Sequence, residues 1–298
     1  VHNLLVVVSD PENTDYLFEK VERLAQGASD LKIHVVQVIH EGVADLTSKA
    51  IEKSVDLKSF ILSAAESQLD DLVEPLRVKF PDLECATLWN ARTWEGILHA
   101  AQRAEADLIV KDAGAHHRLG DVVRTPDDWN LLRHAEVPVM LVKEPAWQAD
   151  ARVLCSLDPF DDDHKDLNNA LLKQAEALAE RLGVDLDLVC VYPLFEPWVG
   201  ELGAAANYVE IKNSIEDEIK TRVTALTDAA GIRFNLLLLE EGHPAQALAL
   251  LSESVEPALI VIGTHARDGV RGVVLGNTSE RILYHVPNDV VTVPAPAT

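Results

Sequence analysis

Basic residues are scarce in this chain. Twenty-six Lys and Arg stand against 49 Asp and Glu in 298 residues, a formal charge of −23, and the shortage is even, with 15 bases against 26 acids in residues 1–150 and 11 against 23 in the rest. Nucleic acid and anionic bilayers are held by basic faces, so this balance excludes both as partners. Cysteine is scarce as well: Cys85, Cys155 and Cys190 lie in apolar, strand-like runs with no Cys-x-x-Cys spacing, which excludes a disulfide framework and predicts buried free thiols in a reducing compartment. Long apolar runs are missing. The opening run of residues 4–8 is too short for a signal core and has no basic flank, and nothing later approaches a membrane span, so a cytoplasmic protein is expected. What the chain does have is 48% hydrophobic residues, enough to fill the cores of two ordinary domains.

Those apolar residues alternate between two periods. Residues 4–8 read as a buried strand closed by Ser9-Asp10-Pro11, and Leu17, Val21 and Leu24 then recur at helical spacing as far as Gly27. Residues 33–39 form a second strand. A long helix over residues 57–80 is predicted to turn Phe60, Ala64, Leu69, Leu72 and Leu76 inward, with Pro75 as a kink and Pro81 as its stop. Strands at 84–89, 108–110 and 137–142 alternate with helices at 94–104 and about 129–134. This order predicts an α/β fold with a doubly wound parallel sheet.

The order then begins again. The strand and Asp158-Pro159 repeat the start at Asp10-Pro11 at an offset of 148, and Ile282-Leu283-Tyr284-His285 repeats Leu131-Leu132-Arg133-His134 at 151. Between them come a helix over 167–182, a strand over 186–192, a helix over 209–229, a strand over 234–239, a helix opened by Gly242-His243-Pro244 and a strand over 259–262. The chain is a tandem duplication, with domains expected at 1–147 and 148–298.

After the apolar run 258–262 comes a glycine-rich loop from Gly263 to Gly276, and then Asn277-Thr278-Ser279 opening a helical pattern. This is the order of a strand feeding a phosphate-cradling loop, although a tight connecting turn wants the same glycines. The duplicate separates the two readings. At an offset of 151, Gly263 falls on Asp112, Ala266 on Ala115, Gly276 on Thr125 and Asn277 on Pro126. Asp112 sets a carboxylate near any phosphate and Pro126 has no N–H to donate, so the first half has lost the cradle and a nucleotide is expected in the second.

The loop resembles the nucleotide motif of the universal stress protein family, Gly-x-x-Gly-x9-Gly-(Ser/Thr), and reads here Gly263-x-x-Ala266-x9-Gly276-Asn277, with departures at the second glycine and at the Ser/Thr position. Asp128-Trp129 and Leu131-Leu132-Arg133 in the first half, with Gly276-Asn277-Thr278 in the second, resemble the tandem E-type members. The resemblance covers nearly the whole chain. It implies two Rossmann-like domains, each a five-stranded parallel sheet of order 3-2-1-4-5 with helices on both faces, whose final strands pair the halves as an intramolecular pseudo-dimer. It also implies a stress-response protein that works by ligand binding: ATP or a related nucleotide, with Mg accompanying it. Residues matching Asp158 and Val191 would line the adenosine side, and those matching Gly263, Ala266, Gly276, Asn277 and Thr278 would hold the phosphates. Asp158 can accept from a ribose hydroxyl at the strand's carboxyl end, and Asn277 can donate to a phosphate oxygen as Ser would. A Cβ at Ala266 narrows the approach.

Other candidates are plainer. His116, His117, Asp112 and His134 have zinc-ligating chemistry without zinc-site spacing, and no metal is expected. Trp89, Trp94 and Trp129 read as core or rim packing rather than a base-stacking platform. Asp161-Asp162-Asp163 suits a helix start, and residues 194–203 form either a lid or an ordinary surface loop. No catalytic triad or acid–base pair of carboxylates stands out, so a weak ATPase is the most the chain offers as an enzyme. The rival reading is a non-nucleotide scaffold or chaperone-like interaction protein with both clefts degenerate, or one that takes an apolar or lipid-like ligand. The protein partner and further self-association stay open.

Overall fold

The computed structural model describes residues 1–28, 30–42, 57–113, 126–160, 165–193, 204–264 and 277–296, and the chain divides into two compact units, Val1–Ala146 and Trp147–Thr298. The indole N–H of Trp147 donates to Asp289 Oδ2 at 2.8 Å, which ties the start of the second unit to its last strand.

The first unit runs β1 (Asn3–Val7), α1 (Asp15–Ala25), β2 (Lys32–Ile39), α2 (Leu57–Lys79), β3 (Glu84–Trp89), α3 (Thr93–Arg103), β4 (Leu108–Asp112), α4 (Pro126–His134) and β5 (Val139–Val142). Its strands are parallel and ordered β3-β2-β1-β4-β5. The second unit runs β6 (Val153–Leu157), α5 (Lys165–Leu182), β7 (Leu186–Tyr192), α6 (Ala204–Ala230), β8 (Leu237–Glu241), α7 (Pro244–Val255), β9 (Leu259–Thr264), α8 (Asn277–His285) and β10 (Asp289–Pro294). The same order returns as β8-β7-β6-β9-β10, again parallel. Central strands covered on both faces must be apolar throughout, and Leu4 to Val8, Leu108 to Val110 and Leu259 to Ile262 are all buried. The doubly wound α/β class expected from the sequence is the one observed.

The duplication extends to an unusual backbone state. Glu105 after α3 and Glu256 after α7 both hold positive φ, 46° and 47°, at positions 151 apart. Left-handed glutamate is costly, and its recurrence marks the same tight return into the following strand in both units.

Three expectations shift. The buried face of α2 is Leu69, Val73 and Leu76; Phe60 is 65% exposed and Ala64 is exposed, because only the C-terminal half of α2 lies on the sheet. The strand expected at 234–239 is β8 at Leu237–Glu241, since hydrophobicity alone places Phe234 and Leu236 in it while the ladder to β7 begins at Leu237. The helix expected at 209–229 begins earlier, at Ala204.

Cys155 in β6 and Cys190 in β7 are buried, and burial pushes both thiols up, Cys190 to about 12. An unfolded thiol titrates near ~8.5. A folded value raised above the unfolded one contributes stability below the unfolded value and loses it as pH rises, so stability falls from about pH 8.5 upward. Thermal melts between pH 8 and 10 should show a steeper fall for the wild type than for Cys190→Ala. Parallel falls would remove this thiol as a cause.

Candidate functional site

In a sheet of this order the chain leaves the two central strands toward opposite faces, and a crevice opens at their carboxyl ends. In the second unit those strands are β6 and β9. Asp158 is the first residue after β6 and is exposed, Val191 is half-buried in β7, and Gly263 is the penultimate residue of β9. Asp158 is held from both sides of its peptide: its N–H donates to Asn168 Oδ1 at 3.3 Å, and its carbonyl accepts from Asn168 Nδ2 at 2.6 Å. Its own Oδ1 accepts the Phe160 N–H at 3.2 Å. A buried asparagine on α5 thus fixes the main chain that presents an exposed carboxylate to the crevice.

Gly263 is fixed by packing. A Cβ there would lie 2.8 Å from Leu167 Cδ2 and 3.2 Å from its Cγ, so any larger residue requires the Leu167 side chain on α5 to shift. The Ser279 hydroxyl donates to the Gly263 carbonyl at 2.9 Å, joining the first turn of α8 to the end of β9. Of the other residues named from the sequence, Asn277 and Thr278 occupy the first positions of α8, and Ala266 and Gly276 lie outside the described residues.

The first unit fills the corresponding place with buried charge. The ladders pair Leu4 with Leu108 and Val153 with Leu259. With β4 and β9 aligned at 151, β1 and β6 therefore align at 149. Asp158 falls on Ser9, and the Asp10 equivalence expected from the Asp-Pro repeat is one residue out of register. Lys111 falls on Ile262, Asp112 on Gly263 and Asp128 on Ser279. Asp112 is 2% exposed, and its Oδ1 accepts the Ser9 N–H at 3.2 Å while Oδ2 has no hydrogen-bond partner. Lys111 Nζ donates to the Asp112 carbonyl at 2.9 Å and lies 2.8 Å from Oδ1 of Asp128, itself 1% exposed.

One carbonyl at the end of one strand is therefore satisfied in two ways. In the second unit a neutral serine hydroxyl serves it; in the first, a lysine ammonium does, anchored by the aspartate that replaces the serine. The exchange brings Asp112, together with Asp127 and Asp128 in the first turn of α4, to the place where the second unit has Gly263, Thr278 and Ser279. Carboxylates around a helix N-terminus use up its positive end and repel an anion. Sequence reasoning missed Lys111, Asp128, Asn168 and Leu167; the signal for the first two was the offset of 151 itself, carried two residues further.

The remaining candidates disperse. His134 stacks on Trp94 with ring centroids 4.8 Å apart, and Asp112 is engaged with Ser9, so these members of the suggested zinc group have separate partners; His116 and His117 lie outside the described residues. No group of three ligating side chains occurs among the described residues. Trp89 packs edge-on to His40 and under Lys58, as rim packing requires. Residues 161–163 and 194–203 are outside the described residues. Across the ends of β7 and β8, Tyr192 donates to Glu216 at 2.9 Å and Tyr208 to both oxygens of Glu241 at 2.6 Å, clamping α6 to the sheet edge. Burial and the Glu216 carboxylate push the Tyr192 hydroxyl up. No helix among the described residues is long and apolar enough to cross a membrane.

The model of the universal stress protein family matches residues 1–143 and 159–294. Universal stress protein E of Escherichia coli K12 is 30% identical over 219 residues, covering 71% of this chain and 68% of that protein. A universal stress protein E homolog of Haemophilus influenzae is 24% identical over 297 residues, 94% of this chain and 93% of that one. Among solved structures, a functionally unknown protein from Pseudomonas aeruginosa superposes with a TM-score of 0.74 at 22% identity, covering 99% of this chain and 93% of that one. A universal stress protein from Archaeoglobus fulgidus gives 0.62 at 17%, covering 99% and 98%. At these identities the two structures speak for the fold alone.

Proposed function

The chain belongs to the universal stress protein family, and from that premise we propose that it acts in the cytoplasmic stress response by binding a nucleotide, ATP or a close relative, in its second half only. The observation that carries this reading is the exchange at the strand end: Gly263 with Ser279 in the second unit, against Asp112 with Lys111 and Asp128 in the first. The described residues of the second unit fit such a ligand. The crevice offers an exposed carboxylate, a half-buried valine and a strand end free of acidic side chains, leading to a helix that begins at Asn277.

In this reading Asp158 accepts from a ribose hydroxyl, Val191 borders the adenine, and Gly263, Ala266, Gly276, Asn277 and Thr278 surround the phosphates. Bound Mg would supply charge neutralisation of the phosphates. The chain's own residues supply orientation: Asn168 holds the main chain of Asp158, and Ser279 holds the glycine end of β9. Among the described residues no acid–base pair stands at the crevice, and the reading put forward is one of binding.

Calorimetry with ATP and Mg should give a saturable heat that Gly276→Asp abolishes, and acid extracts of the purified protein should carry adenine absorbance. Absence of heat with absence of adenine would sink the nucleotide reading. It would favour instead the interaction-protein reading, which draws on exposed Phe60, Val78 and Leu250 at 65%, 77% and 70% exposure.

A further inference from the structure

In the first unit a half-open pocket of about 150 Å³ lies between the sheet edge and α3, bordered by Ala86, Ala100 and Ala104, with His34, Glu84 and Arg103 around it. It lies away from the crevice, since Ala100 and Ala104 mark the C-terminal end of α3, and His34 and Glu84 the start of the β2–β3 ladder.

The second unit carries larger side chains at the equivalent positions. Val36 pairs with Ala86 and Val189 with Leu238, and the ladders superpose these two pairs, so Ala86 falls on Leu238. Helices α3 and α7, aligned through Glu105 and Glu256, put Ala100 on Leu251 and Ala104 on Val255. Three large side chains are thus replaced by alanine, on two separate elements, and all three replacements border one cavity.

The polar groups change together with the apolar ones. His34 falls on Asp187, which in the second unit is fully buried and bonded to Arg152 at 2.7 Å and to the Leu236 N–H at 3.0 Å. Arg103 falls on Ser254. Arg77, Arg92, Arg152 and Arg222 each hold a carboxylate, whereas Arg103 has no hydrogen-bond or ion-pair partner among the described residues, in a chain of charge −23. The one acid at the cavity, Glu84, is 77% exposed and turned to His34 at 3.2 Å.

We propose that this cavity is a binding site for a small one-ring aromatic carboxylate, its ring against the three alanines and its carboxylate toward Arg103. A cavity of ~150 Å³ is the size that accepts a benzene ring. Glu84, solvated and paired to His34, leaves Arg103 as the cation available to the ligand.

The test is titration of the full chain with benzoate, followed by amide chemical shifts. The expected result is saturable, millimolar binding with shifts centred on Ala86, Ala100 and Ala104. Ala100→Leu, which copies the second unit, should weaken it by about tenfold or more, as should Arg103→Gln, and benzyl alcohol should bind more weakly than benzoate. Non-saturating shifts, or shifts scattered over the surface, overturn the proposal, as does Ala100→Leu binding like the wild type. Should Ala100→Leu fail to fold, Arg103→Gln at an exposed position decides alone: unchanged benzoate affinity overturns the site.

Discussion

Lys111→Ile should cost the folded chain about 3–5 kcal/mol, although isoleucine is the residue its own duplicate carries at Ile262. The substitution removes the ammonium 2.8 Å from a carboxylate that is 1% exposed, and it takes away the donor to the Asp112 carbonyl. A buried charge that loses its counter-charge cannot turn to water for compensation. Against a total of ~5–15 kcal/mol this is a large share, and urea melts should show a much lower midpoint at an unchanged slope. The informative variant is the triple one, Lys111→Ile with Asp112→Gly and Asp128→Ser, which rewrites the site in the second unit's terms. It should recover most of the loss, because a neutral hydroxyl-to-carbonyl bond replaces the whole charged cluster, and residues in one network are strongly non-additive. If the triple variant is no more stable than the single one, the two strand ends are not alternative solutions to one problem.

Gly263→Asp carries the second large effect, in the opposite direction of exchange. A Cβ at 2.8 Å from Leu167 Cδ2 forces the buried Leu167 side chain to shift, which should cost about 1–3 kcal/mol of stability. A carboxylate at the end of β9 also meets whatever anion the crevice holds. Two like charges ~4 Å apart near a protein surface repel by up to about 4 kcal/mol, and a penalty of about 2.7 kcal/mol already weakens binding about 100-fold. ATP affinity should therefore fall by about that factor or more. Gly263→Ala separates the two causes, since it carries the same steric contact without the charge: it should show the stability loss with a far smaller loss of affinity. Equal affinity losses in the two variants would mean that packing of β9 on α5, and not charge, governs the site.

Much of this architecture could be read from residue order. Strand–helix alternation, repeated once, is enough to call for two doubly wound sheets, because a strand apolar on both faces can only be a central parallel strand. Where the reading slipped, a local pattern competed with a tertiary one. Phe60 and Ala64 keep the helical spacing of a buried stripe, yet the N-terminal half of α2 does not lie on the sheet, and no periodicity encodes where the underlying strands stop. Phe234 and Leu236 look like strand residues, but the regular register with β7 begins only at Leu237, after single bonds from Asn235 and to Leu236. The Asp-Pro repeat lies one residue out of register with the strands before it, because turns of like chemistry need not start at the same rung of the ladder. The charged cluster of the first unit was half visible: Asp112 stood out as a carboxylate in a phosphate position, whereas Lys111, inside an apolar strand, gave no sign that it turns to Asp128 seventeen residues later in another element. The cavity beside α3 was invisible in either half alone and emerges only when Ala86, Ala100 and Ala104 are set on Leu238, Leu251 and Val255.

On the proposed reading the exchange at the strand ends confines the nucleotide to the second unit, and that proposal can be tested by counting. Equilibrium dialysis of the full chain against labelled ATP with Mg should saturate at one nucleotide per chain, and Gly276→Asp should bring the count to zero. Two nucleotides per chain would mean that Lys111, Asp112 and Asp128 do not close the first site, and none for the wild type would mean that the second unit does not bind ATP either.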